Sequence, residues 1–313
     1  MIISIVSGKG GVGKTTTAAN LGIALQQLGK KVCVVDANVT TSNLGLHLGI
    51  VHYPVTLHEV LRNRFPILDS LYIHESGLRV LPGSLSLEVS KNISLGNIRR
   101  NLEILDKKFD YVIIDSAPGI EKEAMAAVDV ADEIIVVTNP ELPAITDAIK
   151  IIELAKKDKK TIKGIVLNKV FGKDFEPLTE EIESVTNVPV LAEIPFDMKV
   201  MESIADKIPV VLSSRNSPAA KAFFRLAERI AGNNFSEKPS LNFISFNVAV
   251  WLKNIFKTFS SPAIRLGKRT ESRHPETLDK TKKDLGKPED AASFEAELKR
   301  QIIRKLRERD EKT

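Results

Sequence analysis

The 313-residue chain has one cysteine, one tryptophan and three tyrosines, and aromatic residues make up only 5% of it. A lone cysteine, Cys33, excludes an intrachain disulfide and any multi-cysteine zinc or iron–sulfur site built by one chain. It lies in the apolar run Val32–Val35 and reads as a small core residue. Long hydrophobic runs are also missing. No stretch approaches the roughly 18–20 apolar residues that a spanning helix needs. The N-terminal Met1-Ile2-Ile3-Ser4-Ile5-Val6 carries neither a basic start nor a small-residue cleavage site, so a cytoplasmic location is expected. His47, His52, His58, His74 and His274 show no metal-ligand spacing and read as solvated or core residues.

What is present is a composition of 43% hydrophobic and 27% charged residues, enough to bury a real core. The net charge of +5 is unevenly placed: residues 1–235 carry a net −1 and residues 236–313 a net +6. The neutral body gives little support to nucleic-acid binding, and the basic tail is set apart from it. Four segments follow: a body at 1–235, a linker with an amphipathic stretch at 236–259, a polar linker at 260–290, and a charged helix candidate at 291–313.

Within the body, β-branched apolar runs alternate with helical patterns. The runs are Ile2–Ser7, Val32–Asp36, Leu78–Leu81, Tyr111–Asp115, Glu133–Thr138, Lys163–Asn168 and Val190–Ile194. Nearly continuous apolarity marks central parallel strands covered on both faces. Helices are predicted at Lys14–Leu28, closed by Gly29, at Thr146–Lys156, and over 217–231, closed by Gly232. The expected fold is α/β, a mostly parallel sheet with helices on both faces, followed by a helical or disordered C-terminal tail.

Between the first strand and the first helix stands Ser7-Gly8-Lys9-Gly10-Gly11-Val12-Gly13-Lys14-Thr15-Thr16. The G-x-x-x-x-G-K-T spacing in strand–loop–helix context is a phosphate loop. Glycines let successive backbone N–H groups turn around a polyphosphate, and the helix N-terminus adds its positive end. Lys14 is placed to reach the β- and γ-phosphates and the Thr15 hydroxyl to bind Mg²⁺. Asp36 ends one apolar strand and Asp115 another, at the carboxyl ends of strands, where α/β sites are built.

The second lysine, Lys9, completes K-G-G-x-G-K-T, and here the sequence resembles the deviant Walker A ATPases of the MinD/ParA family, closest to MinD-like positioning ATPases. The resemblance implies a P-loop NTPase fold, ATP and Mg²⁺ as ligands, and a homodimer closed by ATP in which Lys9 reaches the partner's phosphates. It also implies a first switch from Asp36 through Asn38, Thr40 and Thr41 to Asn43-Leu44, and a second at Asp115-Ser116-Ala117-Pro118-Gly119. Asp147, in the segment beginning Asn139-Pro140-Glu141, would pair with Lys9 when no partner is present. Asn168 would bond adenine, and Pro195-Phe196-Asp197 would close over the base. One position departs from the family: Asn38 stands where a second aspartate is usual. An amide can orient water but cannot take its proton, so slow or partner-dependent hydrolysis is expected.

On a helical wheel, Val248, Trp251, Leu252, Ile255, Phe256 and Phe259 share one face of Asn247–Phe259. This segment is too short to span a bilayer but suits lying on one, or packing on the body or on a partner protein. Phe294, Leu298, Ile302 and Leu306 form a stripe within the last segment. The readings in play are a MinD-like ATP switch acting through membrane or an activating partner, a ParA-like ATPase binding DNA without sequence preference, and an ATP-binding adaptor with very slow hydrolysis. An iron–sulfur carrier of the same fold is disfavoured by the single cysteine.

Overall fold

Alternate residues of each central strand feed two cores. Ile3, Ile5, Val32, Val34 and Ile113 join one apolar cluster, whereas Ile2, Cys33, Val35, Val112 and Ile114 join another. A strand with both faces covered must be apolar at every position, which is why these runs show no polar alternation.

The computed structural model describes residues 1–50, 53, 55–85 and 98–232. The sequence readings for residues 236–259, 260–290 and 291–313, the Asn247–Phe259 helix among them, lie outside the described residues. Eight strands form one sheet: β1 Ile2–Val6, β2 Val32–Asp36, β3 Tyr72–Ile73, β4 Arg79–Leu81, β5 Tyr111–Asp115, β6 Glu133–Thr138, β7 Thr161–Val170 and β8 Val190–Pro195. Their spatial order is β3-β4-β2-β5-β1-β6-β7-β8, and every pairing is parallel except β3 with β4. The chain thus leaves β1 toward β2 on one side and later returns to β6 on the other. The resulting crevice at the strands' carboxyl ends is where ligands bind in such sheets.

The described helices are α1 Lys14–Gln27, α2 Leu44–His47, α3 Leu57–Leu61, α4 Ile98–Asp106, α5 Lys122–Val130, α6 Leu142–Lys157, α7 Thr179–Thr186, α8 Met198–Asp206, α9 Val210–Ser213 and α10 Pro218–Ile230. Helices α1, α9 and α10 cover one face. Helices α3 and α4 together with α6 and α7 cover the other. In α10, Ala219, Ala220, Phe223, Leu226, Ala227 and Ile230 are buried, the stripe expected of a helix lying on a core. Ser217 caps its start by accepting from the Ala220 N–H at 3.2 Å.

Two local differences from the sequence reading have simple causes. Helix α6 begins at Leu142 rather than Thr146, because Pro143 falls in the first turn, where its missing N–H costs nothing. The two-residue strand β3 was not predicted: a pair so short has no periodicity to read, and it exists only because β4 lies beside it.

Candidate functional site

The phosphate loop leaves β1 through buried Ser7. The Ser7 hydroxyl donates to the Lys9 carbonyl at 2.7 Å and accepts from Lys14 Nζ at 2.9 Å, so both lysines of the motif are tied to one side chain at the strand end. Lys14 is only 7% exposed. Burial pulls its ammonium below the ordinary lysine value, opposed by the Asp115 charge. Gly13 adopts φ +101°, and a β-carbon there would lie 2.0 Å from Asn168 Nδ2, so both conformation and space demand glycine. Gly8 is pressed instead against α6, where a β-carbon would meet the Asp147 carbonyl oxygen at 2.2 Å. Gly10 and Gly11 face open space. The loop is therefore clasped at its two ends and open between them.

Asp36 and Asp115 end neighbouring strands in register, and both are buried. Asp36 Oδ1 accepts from the Asn38 N–H at 3.2 Å, and Oδ2 from those of Asn43 and Leu44 at 3.1 and 3.0 Å. The carboxylate thus holds the loop after β2 around itself. Burial pushes the Asp36 carboxyl up, and the Asp115 charge pushes it further. Burial likewise raises Asp115, to about 6, against the Thr15 hydroxyl and the Lys14 charge, which lower it. Asp115 Oδ1 is buried and makes no hydrogen bond among the described residues.

That orphaned oxygen beside Thr15, under a loop carrying Lys14, is the chemistry of a Mg²⁺–polyphosphate site. Mg²⁺ is held by one or two carboxylates together with phosphates and waters, not by an all-protein cage. No group of three His, Cys, Asp or Glu side chains able to hold a metal occurs among the described residues.

Asn38 Oδ1 accepts from the Thr41 N–H at 3.2 Å and its hydroxyl at 3.1 Å. Ser42 donates back to the Asn38 carbonyl at 2.9 Å. The Thr40 hydroxyl donates to Glu123 at 2.6 Å, joining the loop after β2 to α5. The Gly119 N–H donates to the Ser7 carbonyl at 2.9 Å, joining the loop after β5 to the phosphate loop. Lys9 is about half exposed, its ammonium 4.0 Å from Glu141. Asp147, the partner suggested by resemblance, pairs with Lys150 at 2.9 Å, one turn away on its own helix.

A cleft of about 470 Å³ brings together Gly10, Gly11, Gly13, Lys14, Thr15 and Thr16 with Asn38, Asn168, Pro195 and Asp197. Gly8, Lys9, Val12, Asp36 and Asp115 are not among its walls. Asn168 donates Nδ2 to the Val12 carbonyl at 2.7 Å. Asn139, with its amide oriented to satisfy its neighbours, donates to the same carbonyl at 3.2 Å and to the Asn168 carbonyl at 3.3 Å. Asp197 accepts from the Lys199 N–H at 2.9 Å and the Ala219 N–H at 3.2 Å, so both its oxygens hold helix starts. Sequence reasoning placed Ser7 in the loop motif and Phe196 in the base-closing segment without giving either side chain a role, and it missed Lys169 and Phe171, whose ring stacks on Phe196 at 4.7 Å. No local signal marks Lys169 or Phe171.

Comparison with known proteins gives a family match over residues 3–210, to the CobQ/CobB/MinD/ParA nucleotide binding domain. An uncharacterised ATP-binding protein of Methanocaldococcus jannaschii is 40% identical over 233 residues, 74% of this chain and 88% of the relative. Among solved structures, the cell division ATPase MinD of Pyrococcus furiosus superposes with a TM-score of 0.72 at 40% identity, covering 74% of this chain and 99% of that one. The septum site-determining protein MinD of Pyrococcus horikoshii, complexed with Mg-ADP, gives 0.71 at 37% identity, with coverage of 73% and 95%.

Proposed function

The chain belongs to the CobQ/CobB/MinD/ParA family of nucleotide-binding domains, and from that membership we propose that it is a MinD-like, ATP-operated switch that hydrolyses ATP slowly. The observation that carries this reading is the convergence of Lys14 and Thr15, at the start of α1, on Asp115, which ends β5 beside Asp36 at the end of β2. Burial of both carboxylates is unfavourable by itself and becomes favourable beside a cation.

Thr15, with Asp36 and Asp115 beyond it, would hold Mg²⁺, whose contribution is to neutralise charge on the β- and γ-phosphates. Lys14 holds the same phosphates from the loop side. Asn38, its Oδ1 engaged by Thr41, cannot take a proton from the attacking water and leaves it to the solvent or the phosphate, which suits slow turnover. Lys9, half exposed and weakly engaged, is free to reach the phosphates bound by a second copy. ATP would then close a homodimer, and hydrolysis would open it.

The 78 residues after the body carry its positive excess and the Asn247–Phe259 stripe. Doubling them in a dimer raises avidity for a membrane surface or partner without any new contact, which supports a spatial-positioning role with an activating partner. The test is light-scattering mass and liposome pelleting of the full chain in Mg-ATP and Mg-ADP. Dimers and pelleting confined to Mg-ATP, with pelleting lost in Trp251→Glu, are expected. Equal behaviour in both nucleotides sinks the switch. ATP-dependent, salt-sensitive DNA retardation without pelleting would favour the ParA-like alternative.

A further inference from the structure

Successive strand residues point to opposite faces, so Asn168 and Lys169 near the end of β7 should diverge. They do not. The register of β7 against β8 shifts between Asn168 and Val170, and Lys169 adopts φ +59°, a left-handed conformation disfavoured for any residue with a β-carbon. Such a bulge re-aims a side chain. Asn168 Nδ2 reaches the Val12 carbonyl at 2.7 Å, and Lys169 Nζ reaches the Gly11 carbonyl at 2.9 Å. Two consecutive side chains of one strand thus hold two consecutive carbonyls of the phosphate loop. The chain after the bulge is anchored too: the buried Glu176 carboxylate accepts from the N–H groups of Phe171, Gly172 and Lys173 at 3.0, 2.7 and 3.3 Å.

In a trans peptide, the C=O of one residue and the N–H of the next point in opposite directions. Holding the Gly11 and Val12 carbonyls toward β7 therefore turns the Val12 and Gly13 N–H groups away from it, into the interior of the loop. We infer that Lys169 is a positioning residue for a polyphosphate: with Asn168 it sets the loop's amides before the anion arrives, so that less ordering is charged against binding. The inference rests on reading the site as a nucleotide cradle. It gives Lys169 a role exerted through the loop backbone rather than through the base.

The test compares full-length wild type with Lys169→Met, Lys169→Gly and Lys169→Arg. Inorganic tripolyphosphate and Mg-ADP each compete with a fluorescent ADP analogue, and thermal unfolding is followed alongside. Lys169→Met and Lys169→Gly should bind both competitors more weakly by a common factor, roughly three- to tenfold, the weight of one partly exposed hydrogen bond. Lys169→Arg should recover most of the loss. Lys169→Gly, relieved of the left-handed conformation, should unfold at a temperature no lower than wild type. Weakened Mg-ADP with unchanged tripolyphosphate, or unchanged tripolyphosphate throughout, overturns the inference and leaves the nucleotide reading standing. A wild-type chain that binds no nucleotide overturns both.

Discussion

Asp36 and Asp115 lie directly opposite each other on adjacent parallel strands, both buried, so the site holds two carboxyl groups that burial keeps from ionising easily. A raised folded-state pKa means that stability is highest below the unfolded value and is lost as pH rises through the folded one. For Asp115, that window runs from the ordinary carboxylate range to about 6. Asp115→Asn should therefore raise the unfolding temperature of nucleotide-free protein at pH 8, by about 1–3 kcal/mol of stability, and do nothing comparable at pH 4. The same variant should weaken Mg-ADP binding. Thermal unfolding at the two pH values, with and without Mg-ADP, checks both halves. A loss of stability at pH 8 would mean that Asp115's attraction to Lys14 outweighs its burial.

His58 should produce the opposite pH dependence. Its Nδ1 accepts from the Ser84 N–H at 3.1 Å and its Nε2 faces the Val39 carbonyl at 2.9 Å, so the ring is neutral with its proton on Nε2. Burial lowers its pKa, aided by Arg62 and opposed by the Val39 bond, Glu59 and Glu123. Stability from a depressed histidine is complete above its ordinary value of about 6.5 and is lost as pH falls below it. Unfolding temperature should fall from pH 6.5 to pH 5 more steeply in wild type than in His58→Gln. Parallel curves would assign the acid sensitivity elsewhere.

The loop glycines should separate by what lies beside them. Gly8→Ala must move backbone of α6, since the intruding atom belongs to the Asp147 peptide, and should cost about 1–3 kcal/mol or more. Gly10→Ala meets nothing within 4 Å and should leave stability nearly unchanged. Denaturant midpoints of the two variants measure the contrast.

Asn38→Asp keeps the acceptor for Thr41 and adds a group able to take a proton. Phosphate release from Mg-ATP by the isolated chain should rise severalfold, about the scale of a positioned base lacking its other tuning. Unchanged turnover would show that Asn38 does not limit hydrolysis.

Much of this was legible in the sequence. The glycine and lysine spacing of residues 8–16, the apolar runs ending in Asp36 and Asp115, and the stops at Gly29 and Gly232 are local. Each depends on backbone freedom, hydrophobic period or capping within a few residues, and the α/β alternation follows from them. Other features needed tertiary structure. Asn168 meets Val12 across 156 positions of chain, Gly8 meets α6, Asp147 turns to Lys150, and β3 pairs only where β4 offers an edge. Such contacts are set by strand order, register and one bulge, which no residue type announces. The sequence by itself determined that this chain builds a phosphate-binding α/β domain. Only the packed sheet decided which side chains hold that loop in shape, because the groups that hold it come from strands distant in the chain and adjacent in space.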